Sequence, residues 1–94
     1  MPESAAADER QHAASIERDI QHFLESRTRT AWDPDTDLFA SGAVSSLFAM
    51  ELVVFVEQTF GITVAGVDLA RDNFCTVRQM TSLVLRLGGG TGGA

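Results

Sequence analysis

A chain of 94 residues has room for one domain at most, and its 45% hydrophobic content is that of a globular chain, so the middle should fold without help. A single cysteine, Cys75, removes disulfides and multi-cysteine metal sites and points to a reducing, cytoplasmic setting. Thirteen acidic residues against seven basic ones give a net charge of −6, and every basic residue is Arg; this excludes lysine Schiff-base and P-loop chemistry and disfavours phosphate-backbone (nucleic-acid) partners.

The first ten residues are polar and read as a flexible segment; the folded domain spans 11–87, and 88–94 is a flexible glycine-rich tail. Ala13, Ile16, Ile20, Phe23 and Leu24 recur at helical spacing and predict a first helix over about 8–27, with Arg27 and Arg29 suited to its negative end. A loop follows through about Val44, carrying Trp32, the alternating Asp33, Asp35 and Asp37, and then Leu38-Phe39 and Ser41-Gly42. The three aspartates resemble the start of a calcium loop, but Leu38 stands where that loop needs Gly and Val44 where it needs Glu. Local side-chain to backbone hydrogen bonds account for them.

The second helix is predicted over about 46–60. Nine of the ten residues from Leu47 to Val56 are apolar, more than one core face requires, yet the run is interrupted by Glu51 and is far shorter than the ~20 residues of a membrane span. At ~100° per residue, Ala49, Leu52, Val53, Val56 and Phe60 form one face, assigned to the core. Leu47, Met50, Glu51, Val54 and Gln58 form the opposite one, and Phe48 and Phe55 share a flank. Gly61 closes the helix, Ile62-Thr63-Val64 is a connector, and 67–74 holds a single short turn with Asp68 as its cap and Leu69 and Phe74 pointing inward. Thr76-x-x-Gln79 has capping-box spacing, and Val77, Met80, Leu83, Val84 and Leu87 carry a last helix over about 77–87. The fold class is all-α: a small antiparallel four-helix bundle of three main helices and one short one.

No acid, base and nucleophile converge in this pattern, His12 and His22 lack a third ligand, and Cys75 reads as a small buried hydrophobe, so the chain is not expected to be an enzyme. Ser46 differs from the other polar residues because it opens a helix whose amides and dipole favour an attached phosphate. On physics alone, an ordinary helix cap is the commoner role for Ser45 or Ser46.

The stretch Asp37-Leu38-Phe39-x-Ser41-Gly42-x-x-Ser45-Ser46-Leu47, with Glu51-Leu52-Val53 and Glu57-x-x-Phe60-Gly61-Ile62 after it, resembles the acyl carrier protein family over about residues 12–87. The resemblance implies 4′-phosphopantetheine joined covalently to Ser46 by a phosphopantetheinyl transferase, with cargo held as a thioester. It implies a monomer that catalyses nothing and serves an acyl-loading enzyme and downstream acyl-modifying or acyltransferase enzymes, while the acidic charge and the short apolar run argue for no nucleic-acid and no membrane partner. Docking would fall to Leu47, Phe48, Met50, Glu51, Val54, Phe55 and Glu57. Ser45 stands where the family usually has Asp, which removes a charge that a transferase can read. The run Val44 to Glu57, with Asn73-Phe74, resembles discrete polyketide carriers of glyceryl, hydroxymalonyl or methoxymalonyl extender units. Discrete aminoacyl carriers of the D-alanyl type, and peptidyl carriers, share the length and helix pattern. The competing class is a helical protein-interaction module whose Ser46 stays bare.

Overall fold

The structure, a computed structural model, describes the backbone of residues 2–88 and the side chains of residues 12–88. From residue 89 onward the glycine-rich tail lies outside the described residues, as do the side chains of the polar start.

Three α-helices make the bundle: α1 (Pro2–Thr28), α2 (Ser46–Phe60) and α3 (Val77–Arg86). Two consecutive 3-10 turns, Gly66–Leu69 and Arg71–Phe74, stand in place of the single short turn expected between α2 and α3. The backbone leaves helical geometry at Ala70 (φ −58°, ψ 140°), which splits the segment in two. The first turn has Ala65 at its cap with no side-chain bond, and Asp68 instead faces Arg86 at 3.6 Å.

Each helix buries a stripe. Ile16, Ile20 and Leu24 of α1 and Leu52, Val56 and Phe60 of α2 repeat at the same spacing of four, and Val77, Met80, Leu83 and Val84 complete the core from α3. Burying each such side chain stabilises the fold by roughly 1.5–3 kcal/mol, the main favourable term in a domain of this size. Leu38 and Val44 from the loop, Ile62 and Val64 from the connector, and Phe74 close the remaining sides. Thr63 between the two buried β-branched residues is exposed, as an extended connector requires.

The core face of α2 is narrower than the sequence suggests. Ala49 and Val53 are half-buried on its flank, and Leu69, expected inside, is 50% exposed. In both cases the 3-10 segment lies beside α2 and leaves a groove there, described below. The helix α1 also starts earlier than expected: Pro2 fits a first helical position, where its missing N–H has no partner to lose, and Ala5 to Ala7 favour helix. Apolar periodicity begins only at Ala13, so a reading by pattern starts later.

The long loop after α1 is held by polar contacts. Arg29 takes a left-handed conformation (φ 59°), its amide donating to Glu25 O at 2.7 Å to close the helix. Trp32 Nε1 donates to Thr28 Oγ1 at 2.8 Å, and Gln21 Nε2 donates to Trp32 O at 2.7 Å. The amides of Leu38 and Arg78 donate to Cys75 O (2.7 Å) and Pro34 O (3.0 Å), joining the loop to the start of α3. The aspartates act locally, as expected: Asp33 Oδ1 accepts from the Asp35 amide at 2.8 Å, and Asp37 Oδ1 from the Ala40 amide at 2.9 Å. Asp35 also receives Arg78 in a two-pronged contact. No helix among the described residues is long and apolar enough to cross a membrane.

Candidate functional site

The site is built from the turn that delivers the chain into α2. Ser41 Oγ donates to Leu38 O at 2.8 Å and accepts from the Ala43 amide at 3.2 Å, while Gly42 takes a positive φ of 81° that a side chain would strain. The turn drops Val44 into the core, 4% exposed, and so fixes where α2 begins. Ser45 is the N-cap, with extended backbone (φ −89°, ψ 172°), and its Oγ accepts from the Phe48 amide at 3.2 Å.

Ser46 is the first residue inside the helix. It is exposed, and its hydroxyl makes no hydrogen bond among the described residues. The first turn of α2 contains no acidic residue, so the partial positive charge of the helix end is not offset from within that turn.

Beside Ser46 opens a groove of about 290 Å³, walled by Phe39, Val53, Leu69 and Phe74, with Arg71 at its edge. Three separate segments meet there: the loop, α2 and the 3-10 turns. Arg71 places its guanidinium 4.5 Å from the centre of the Phe39 ring. Asn73 braces the 3-10 wall, donating to Asp68 O at 3.0 Å and accepting from Arg86 Nη2 at 3.3 Å. Neither Phe39 nor Arg71 stood out in the sequence as a site residue. Phe39 is visible inside Asp37-Leu38-Phe39, but Arg71 lies 25 positions after Ser46, and no periodicity links them.

The seven residues expected to dock partners divide into four groups. Leu47, Met50 and Val54 form an exposed apolar strip, at 81, 63 and 46% exposure. Glu51 lies on that face but pairs with Arg27 of α1 at 3.0 Å. Phe48 and Phe55 are half-buried against α1: the Phe55 ring stacks on Phe23 with centroids 4.1 Å apart, and Phe48 lies 6.1 Å from the same ring. Glu57 turns inward to the connector, its Oε2 accepting from the Val64 amide at 2.8 Å. A second groove of about 360 Å³ runs between α1 and α2 past Phe23, Arg27, Val54 and Phe55, and Met50 borders both grooves.

Cys75 is half-buried with its thiol donating to Arg71 O at 3.4 Å. Burial pushes its pKa up, and the charges of Asp37 and Asp72 act in the same direction against a smaller opposing effect of Arg71. The thiolate needed of a nucleophile is thereby disfavoured.

A family model described as "Phosphopantetheine attachment site" matches residues 21–84. Curated relatives include D-alanyl carrier proteins of Streptococcus pyogenes serotypes M5 (strain Manfredo), M49 (strain NZ131) and M1, each 40% identical over 53 residues, which cover 56% of this chain and 67% of theirs. No solved structure matches.

Proposed function

The chain belongs to the phosphopantetheine-attachment family of carrier proteins, whose members hold 4′-phosphopantetheine covalently, and we propose that Ser46 is the residue that holds it here. The observation that carries this assignment is the contrast between adjacent serines: Ser45 uses its oxygen to cap α2, whereas the Ser46 hydroxyl is exposed and makes no hydrogen bond among the described residues. The surroundings suit the group. A phosphodiester on Ser46 would lie at the positive end of a 15-residue helix with no acidic side chain in its first turn.

In the attachment step, Ser46 Oγ forms a bond to the phosphorus next to pantetheine in coenzyme A. The pyrophosphate link breaks, adenosine bisphosphate leaves, and the hydroxyl proton passes to the transferase. Once attached, the arm supplies a terminal thiol on which cargo is carried as a thioester. The carrier's own contribution is placement: tethering raises the effective concentration of cargo at each successive enzyme. Leu47, Met50 and Val54, an apolar strip next to Ser46, are the surface on which a transferase or acyl-handling enzyme would bury area close to the arm. Glu51 adds a negative charge beside it, shared with Arg27.

Two cargo readings have specific support. The relatives whose printed name is D-alanyl carrier protein favour an aminoacyl cargo. The sequence from Val44 to Glu57, with Asn73-Phe74, favours a small polyketide extender unit of the glyceryl, hydroxymalonyl or methoxymalonyl kind. The mass of the loaded arm isolated from the native host decides between them, because an aminoacyl group adds nitrogen and the extender units do not. Coexpression with a broad-specificity phosphopantetheinyl transferase tests the carrier reading itself. Addition of one arm supports it, and an unmodified chain favours a bare interaction module.

A further inference from the structure

Of the arginines near the bundle's surface, Arg27, Arg78 and Arg86 each pair with a carboxylate, Glu51, Asp35 and Asp68 respectively. Arg71 pairs with none among the described residues. It sits over the Phe39 ring, beside the Cys75 thiol, at the edge of the groove that Ser46 also lines. Stacking on an aromatic face fixes the plane of a guanidinium while leaving its N–H edge available for a planar or tetrahedral oxyanion. The other walls, Val53, Leu69 and Phe74, are apolar, so Arg71 is the charged side chain lining this groove.

We propose that Arg71 binds the anionic group that an arm on Ser46 brings into this groove, favouring phosphate or carboxylate and disfavouring ammonium there. The proposal rests on Ser46 as the attachment residue. The shared chemistry is an oxyanion meeting a guanidinium edge, a charge-assisted contact that Arg makes with two parallel N–H bonds. Two sources offer it: the phosphodiester at the root of the arm, and a carboxylate on the cargo. An aminoacyl cargo brings an ammonium and would be turned away from this groove toward solvent, whereas a carboxylated acyl group would be drawn in. Arg71 is therefore a specificity residue for what the carrier shelters, by charge sign.

The test uses the full-length, ¹³C,¹⁵N-labelled chain in four forms made with a transferase: holo, acetyl, malonyl and alanyl, each verified by intact mass. The readout is the Arg71 Nε–Hε resonance relative to the unmodified protein. A shift on forming the holo protein, retained with every cargo, identifies the phosphodiester as the ligand. A shift present with malonyl and absent from the holo, acetyl and alanyl forms identifies the cargo carboxylate. In either case Arg71→Gln, at an exposed position, should keep the helical spectrum while removing the accompanying shifts of the Val53 and Leu69 methyl groups. An unmoved Arg71 resonance in all four forms, a shift produced equally by acetyl and malonyl but not by the holo form, or methyl shifts that persist in Arg71→Gln would each overturn the proposal. A chain that gains no arm fails at the mass check, which counts against Ser46 and not against Arg71.

Discussion

Phe23 of α1 and Phe55 of α2 stack with ring centroids 4.1 Å apart and planes 18° from parallel, so an aromatic that the sequence offers to partners instead joins the two helices. Arg27 lies over the Phe23 ring as well, 5.0 Å from its centre. Phe55→Ala should lower unfolding free energy by roughly 2 kcal/mol, less than the 3–5 of a fully buried Phe, because the ring is half-exposed. Met50→Ala, on the exposed strip, should change it by no more than about 0.5 kcal/mol. Urea titrations of both variants check the contrast; equal losses would mean that Phe55 is no more structural than Met50.

Opposite faces of α2 should respond differently to the same charge. Leu52 is fully buried and Val54 is 46% exposed. Leu52→Asp should unfold the bundle, since an unpaired carboxylate in a small core exceeds the stability available. Val54→Asp should keep its helical circular dichroism and melt within a few degrees of the parent, yet lower the rate of cargo loading, because the added charge must be desolvated at a partner's surface. A folded Leu52→Asp, or normal loading by Val54→Asp, would contradict the assignment of faces.

Glu57 ties the end of α2 to the connector through the Val64 amide. Glu57→Ala should cost about 1.5–3 kcal/mol, the range for a hydrogen bond to a charged group, and Glu57→Gln less because an acceptor oxygen remains. Chemical unfolding of the two variants measures the difference; similar losses would show that the contact contributes little.

Acid should weaken the join between the loop and α3. The hydrogen bond from Arg78 holds the Asp35 carboxyl below the ordinary carboxylate range, and the nearby positive charge adds to it. A lowered folded pKa contributes stability that is present above the unfolded value of about 4 and lost as pH falls through the lower folded value. The gap in melting temperature between the parent and Asp35→Asn should therefore narrow from pH 6 to pH 3. Because both groups are exposed, the gap should also shrink in high salt. A gap that stays constant with pH would rule out the ion pair as its cause.

Much of this architecture was legible in the chain because regular spacing and punctuation survive in one dimension. Ser46–Phe60 matches the helix bounded by Ser45 and Gly61, and Val77–Arg86 follows from the Thr76 cap, whose Oγ1 accepts from the Gln79 amide at 3.0 Å. What escaped was the rotation of one element against another. Phe48 and Phe55 could be placed on one flank of α2, but only the position of Phe23 on α1 decides that this flank is covered. Glu57 falls among the docking residues that the resemblance implies, since nothing local reveals that the chain doubles back to bring Val64 to it. Likewise, Leu69 faces the groove and not the core because the 3-10 segment breaks at Ala70. The serine at the start of α2 was legible from its motif, whereas the Arg71 beside it depends on three segments meeting.

The cap serine offers a check on local physics at the start of α2. Ser45→Ala should cost about 1 kcal/mol of stability by freeing the Phe48 amide, and Ser45→Asp should restore the cap while adding an anion at the helix start. With a transferase that prefers an acidic residue there, Ser45→Asp should also be modified faster. A slower rate would show that Ser45 suits its own partner better.

The most direct measurement is the intact mass of the parent, Ser45→Ala and Ser46→Ala chains after incubation with coenzyme A and a broad-specificity transferase. One added arm is expected on the parent and on Ser45→Ala, and none on Ser46→Ala, with all three chains folded by circular dichroism. An arm on Ser46→Ala, or its loss from a folded Ser45→Ala, would contradict the claim that Ser46 is the attachment residue.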